Sequence, residues 1–219
     1  MSDLNKLLAR TNEYEQIIGL VIHQPMYADT IRNRVTHVLC CVSLEHAQSV
    51  KILCGAGNFT SAVTLVRLQF EALVRAKWIQ FAATDAQVEK LSTQLDDHSA
   101  KKASNIPMLS EMLKHLQNTA PEKMVEPLLE IKKHHWPHLS SYVHGGIHAV
   151  NRHAMGYPAQ LIEALLKTCN GMTALTCYFM ALSTGKKALA EHVLKSFEQF
   201  ADVMPDTKPD AQLAGDKKE

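Results

Sequence analysis

Chemistry in this chain of 219 residues would come from charges and histidines that fall on otherwise apolar faces. Over residues 59–83, steps of about 100° per residue align Val63, Val66, Phe70, Leu73, Val74, Trp78 and Phe81 in one apolar stripe. Arg67 falls inside that stripe, Glu71 follows one turn later on its edge, and Arg75 lies beyond. On a solvated face such an i,i+4 pair contributes roughly 0.3–0.5 kcal/mol and calls for no explanation. On a buried face the desolvation of each ion costs on the order of several kcal/mol, so the pair needs further partners or a role. A structural pair linking helices and the edge of a polar site both satisfy this. Arg67 and Glu71 are expected to be largely buried and paired.

Two further groups are unusual. Val38, Leu39, Val42, Ser49, Ile52 and Leu53 are read as one inward face of a second helix, from which Glu45 and His46 project toward the same interior as Arg67 and Glu71. The segment HHWPHLSSYVHGGIHAVNRH, residues 134–153, brings His144, His148 and Arg152 to one side if it is helical past its glycine pair. Histidines at i,i+4 can share a metal ion, with Glu45 or Glu71 adding a carboxylate. Without a Glu-x-x-His pair, a metal-free polar pocket is the preferred reading, and no cofactor is expected. Ser140 and Ser141 near His144 raise nucleophilic catalysis, but a serine hydrolase needs a strained elbow in an α/β framework, and neither pattern is present.

The elements that must position these groups read as helices throughout, because strand-like alternation is scarce and helical periodicity is long. A first helix spans about 3–23, before Pro25. A second starts near Asp29 or Thr30 and runs to about Leu53, before the Gly55–Asn58 break; a third covers 59–83. Thr84 or Asp85 caps a polar helix over 86–104, and Pro107 and Pro121 open first turns. Pro127 is expected to kink or restart its helix, and Trp136 to Tyr157 to be the least regular region. Pro158 opens a long apolar helix to about Ser183, and an amphipathic helix ends near Val203. One domain over 1–203 with a disordered tail over 204–219 is the simplest division.

The 23 Lys and Arg against 22 Asp and Glu leave a net charge of +1, so no large field exists to draw in nucleic acid from a distance. The five cysteines are odd in number and lack Cys-x-x-Cys spacing, which reads as reduced core thiols. A charged N-terminal stretch without an apolar core, and no early apolar run beyond IIGLVI, point to a cytoplasmic protein outside the membrane.

The string SAVTLVRLQFEALVRAKWI, followed about seventy residues later by HLSSYVHGG, resembles a group of uncharacterised bacterial all-helical proteins similar to the HEPN superfamily, over roughly residues 38–180. Members of that superfamily include toxin ribonucleases and abortive-infection proteins. The resemblance implies an all-α, HEPN-like helical bundle with additional helices, a homodimer with a composite site, an RNA substrate cleaved without metal, and an antitoxin or other protein partner. The superfamily's motif is Arg, four to six residues, then His. Arg32-Asn33-Arg34-Val35-Thr36-His37 matches it literally, earlier in the chain than the family places it. Late in the chain His144 takes the histidine's place, and His138 stands where the arginine would be. The resemblance thus makes His144, Arg32 and His37 the catalytic candidates. Glu45, His46, Arg67, Glu71, His138, His148 and Arg152 form the polar pocket. The alternative is a non-catalytic module that binds a partner, a small ligand or an anion.

Overall fold

The computed structural model describes residues 3–94 and 106–206, and no strand occurs among the described residues. The elements are α1 (Asp3–Ile18), a 3-10 turn (Gly19–Val21), α2 (Ile31–Gly55), α3 (Phe59–Phe81), α4 (Asp85–Ser92), α5 (Leu109–Thr119), α6 (Glu122–Val143), α7 (Ile147–Met155), α8 (Ala159–Ser183), α9 (Lys187–Gln199) and a second 3-10 turn (Ala201–Val203). The rest of the expected polar helix, from residue 95 to 104, lies outside the described residues.

Helix starts follow their caps. Thr30 Oγ1 accepts the Asn33 amide at 3.1 Å, and Thr84 and Gln87 form a reciprocal capping box at the start of α4. α2 and α3 make an antiparallel hairpin. α8 packs across both of them, α1 and α9 flank α8, and α5 and α6 cover the side of α3 that faces away from α2.

The inward face of α2 is rotated from the expectation: Leu39 and Leu53 pack against the core as expected, but Val38, Val42 and Ile52 do not. Val38 is 59% exposed and Ile52 65%, with Val42 also at the surface. The inner face is Thr36, Cys40, Ser43, Ala47, Val50 and Cys54. These small side chains let the α2 backbone approach α3, which supplies the bulk: Phe70, Leu73 and Trp78 are fully buried. By length and mean hydropathy, 1.2 over its most apolar window, α2 would also suit a bilayer. A third of that window, 33%, is buried against the rest of the bundle.

α6 also departs from the expectation, running unbroken through Pro127 and Pro137 to Val143. A helical proline leaves the carbonyl four residues earlier without its amide. Near the first of these sites the buried Lys77 ammonium of α3 donates to the Met124 carbonyl at 2.8 Å, the next carbonyl along from that of Lys123, which Pro127 leaves without its amide. Of the irregular region, the turn at Gly145-Gly146 and the break at Gly156-Tyr157 remain. At the other end Met204 is 1% exposed, and the Asn170 amide donates to the Val203 carbonyl at 2.9 Å. Packing therefore continues past the expected start of the tail, whose residues 207–219 lie outside the described set.

Burial of Lys77 disfavours its charge and lowers its pKa from 10.5 to about 8, with Cys40 opposing. Between those two values the unfolded chain holds a proton that the folded chain has released, so stability rises with pH across that window. Below about 8 the cost of the buried charge is fully present. Relative to Lys77→Met, the wild type should gain about 3 kcal/mol between the two limits. Urea unfolding of both proteins at pH values spanning the window checks this; parallel curves would show that Lys77 does not titrate there.

Candidate functional site

On α3, Arg67 and Glu71 meet as expected, Nε to Oε1 at 2.8 Å, with side chains 14% and 29% exposed. The guanidinium lies over the Trp136 ring of α6, 4.3 Å from its centroid, and Trp136 in turn packs on Phe70 at 6.0 Å. A planar cation against an aromatic face is stabilised by the ring's quadrupole, so α6 holds Arg67 from one side while Glu71 holds it from another. Its Nη1 is buried with no hydrogen-bond partner among the described residues.

Farther along α6 the chain turns back on itself. Gly145 adopts φ +62°, and the Gly146 amide donates to the Ser141 carbonyl at 2.7 Å. A Cβ on Gly146 would stand 2.6 Å from Ser141 Oγ, so the turn closes only around a glycine. Ser141 Oγ accepts the His148 amide at 3.1 Å and so caps the first turn of α7. This is the use the fold makes of the serine beside the histidines.

The turn lays His148 against His138. His138 Nδ1 and His148 Nε2 are 3.3 Å apart, with the rings edge to face. Tyr142 stacks on His148 at 6.4 Å between centroids. Burial, and then Tyr157, raise the Tyr142 phenol to about 12, with the charge of nearby Arg152 opposing. Burial followed by the His148 neighbour lowers the pKa of His138, and burial, then His134 and His138, lower that of His135 to about 4. Thr60 Oγ1 bonds the Tyr157 hydroxyl at 2.8 Å and His153 Nδ1 at 3.3 Å, stapling the end of α7 to the start of α3.

Other candidates lie elsewhere. His144, at the end of α6, is exposed and does not share a helical face with His148, because the glycine turn interrupts the helix between them. Glu45 is exposed and lines a cleft bounded by α1, α2 and α8. His46 is half-buried, with no hydrogen bond to Arg67 or Glu71 among the described residues. The pocket expected from Glu45, His46, Arg67, Glu71, His138, His148 and Arg152 thus divides. Arg67, Glu71, His138, His148 and Arg152 belong to the region of α3, α6 and α7, and Glu45 to another flank. The reason is the rotated face of α2, which leaves Glu45 exposed.

Arg32 Nη2 pairs with Asp85 Oδ1 at 2.7 Å, and Nη1 donates to the Ile79 carbonyl, so the guanidinium caps the last turn of α3. His37, five residues on, points about 140° away around α2. Burial, and secondarily His23, lower its pKa. Among the described residues no three His, Cys, Asp or Glu are grouped to hold a metal ion. Tyr142, Trp136, Tyr157 and Thr60 are absent from the residues that the sequence singles out. The aromatic residues among the histidines of 134–157 pointed to the first three, and nothing in the sequence pointed to Thr60.

Arg67→Ala should cost about 1–3 kcal/mol, from the lost stacking and the lost pair. That is less than the roughly 3–5 kcal/mol of a fully buried pair, because Glu71 can reach water. A thermal melt against the wild type checks it; a shift no larger than that of an exposed substitution such as Lys6→Ala would show that the pair and the stack contribute nothing.

No curated protein and no solved structure matches this chain. A profile described as a family of unknown function, DUF6988, matches residues 40–206, which span α3, α6 and α7 and with them the Arg67–Glu71 pair and the His138–His148 pair, and the chain belongs to that family.

Proposed function

We propose that the region of α3, α6 and α7 is a phosphodiester site, and that the protein is a HEPN-like ribonuclease of the toxin or phage-defence kind, cleaving single-stranded RNA in the cytoplasm without a metal. The observation that carries this reading is the contact of His138 Nδ1 with His148 Nε2 at 3.3 Å, near Tyr142 and Arg152. Two imidazoles in contact can hold one proton between them, which supplies a base and an acid at adjacent points. The neutral ring takes the 2′-OH proton, the 2′ oxygen attacks phosphorus, and the P–O5′ bond breaks as the protonated ring gives its proton to the leaving oxygen. The products are a 2′,3′-cyclic phosphate and a 5′-OH. The lowered pKa of His138 favours it as the base, and Arg152 stabilises the charge that builds on the phosphorane.

This moves the catalytic role from His144 and from Arg32 with His37 to the His138–His148 pair. Cleavage of a mixed single-stranded RNA pool should persist in excess EDTA and fall about 100-fold or more in His138→Ala and in His148→Ala. His144→Ala and His37→Ala should retain most activity, and Arg32→Ala should lower the melting temperature instead. Loss of cleavage in EDTA would assign the pair to a metal. A wild type inactive on every RNA would leave the second reading, a non-catalytic module binding an anion or a partner. That reading is favoured by one observation, the commitment of Arg32 in the literal motif to Ile79 and Asp85.

A second copy of the chain, and an antitoxin-like partner, belong to the same proposal. The apolar surplus of α8 is used inside the bundle, while Val38, Val42 and Ile52 on the outer face of α2 supply apolar surface for a second copy. Sedimentation at micromolar concentration should give twice the chain mass, reverting to the monomer in Val38→Asp; a monomeric wild type removes the dimer from the proposal.

A further inference from the structure

On a different flank from the histidine pair, the chain forms a cleft of about 400 Å³ lined by α1, the first 3-10 turn, α2 and α8. That volume falls within the range of about 300–1,000 Å³ typical of small-molecule sites. We propose that it binds a small organic cation with an apolar body. Ile18, Ile22 and Leu44 supply apolar wall, and Gly19 adds no side chain to it: a Cβ there would meet nothing within 4 Å.

Charge selects the ligand class. Two carboxylates line the cleft and no lysine or arginine does. Glu15 is already paired with the buried Lys51 ammonium, so it contributes little net charge. Glu45 has no ion pair and no hydrogen bond among the described residues, which leaves one uncompensated negative charge beside apolar wall. An anion would be repelled there. A neutral molecule would gain burial alone, and an ammonium or amidinium on a hydrocarbon body gains both burial and the carboxylate. The site is independent of the ribonuclease reading, because it shares no residue with the histidine pair.

The chain contains its own reporter. Cys40, Cys54, Cys169 and Cys177 are buried, and Cys41, half-buried, lines the cleft. The experiment follows alkylation of Cys41 by N-ethylmaleimide in the intact protein, by peptide mass spectrometry, in the presence of 3-phenylpropylamine, 3-phenylpropanol or 3-phenylpropanoate. The amine should protect Cys41 at about fivefold lower concentration than the alcohol, and the carboxylate should protect least. Glu45→Gln, an exposed substitution, should leave the melting temperature unchanged and make the amine no better than the alcohol. Ile22→Trp, which fills the cleft, should abolish protection by all three. Equal protection by amine and alcohol in the wild type, no protection by any probe, or an amine preference that survives in Glu45→Gln would each overturn the proposal. RNA cleavage, if present, should be unaffected by Glu45→Gln.

Discussion

Gln69 is the polar group around which the three longest helices are set. Fully buried in the middle of α3, it donates from Nε2 to the Cys169 carbonyl at 3.0 Å and the Thr173 hydroxyl at 3.3 Å on α8. Its backbone carbonyl accepts from the Ser43 hydroxyl on α2 at 3.0 Å. An amide left unserved in such an interior costs about 1–3 kcal/mol, so a shift of one helix along another is penalised at a point where apolar packing alone would tolerate it. The small inner face of α2 follows from this, since a bulky residue at Ser43 or Ala47 would hold the helices too far apart for these bonds. Arg67 and Glu71, two residues either side of Gln69, turn to the other face of α3 and reach α6. The register that serves Gln69 Nε2, though its Oε1 has no partner among the described residues, is the register that brings the ion pair under Trp136.

Much of this was legible in the chain. The stripe on α3, the odd position of Arg67 within it and the Glu71 partner all follow from period and side-chain type. Thr30 and Thr84 mark helix starts because a hydroxyl at that position competes with water for free amides. Size was the misleading signal: on α2 the large aliphatics Val38, Val42 and Ile52 look like a core face, while the true one is built from Thr36, Cys40, Ser43 and Ala47, whose value lies in close approach rather than in hydrophobicity. The error in Glu45 comes directly from the error in that face.

The His138–His148 contact was hidden for another reason. Ten residues apart, these side chains share no helical period, and they meet only because Gly145 and Gly146 reverse the chain and Ser141 caps the first turn of α7. A motif read as an unbroken helix pairs His144 with His148 instead. Likewise α6 runs on through Pro127 and Pro137, where a local rule ends or kinks the helix. The near-neutral total charge conceals a division as well, with histidines and arginine near one end of the α6–α7 turn and unneutralised carboxylate in the cleft on another flank.

The placement of α8 has a consequence for how the protein is made. Its residues bond partners that left the ribosome long before: Cys169 with Gln69 across 100 residues, and Asn170 with Thr11 across 159. At translation rates of about 5–20 residues per second, the α2–α3 hairpin waits roughly 5–20 s for the helix that covers it. Throughout that interval the surface of the hairpin that α8 later covers is bare, including the amide of Gln69. The nascent chain is then a client for whatever shields apolar helices at the tunnel exit, and a synonymous change that slows decoding between α3 and α8 lengthens that exposure without altering one contact of the finished fold.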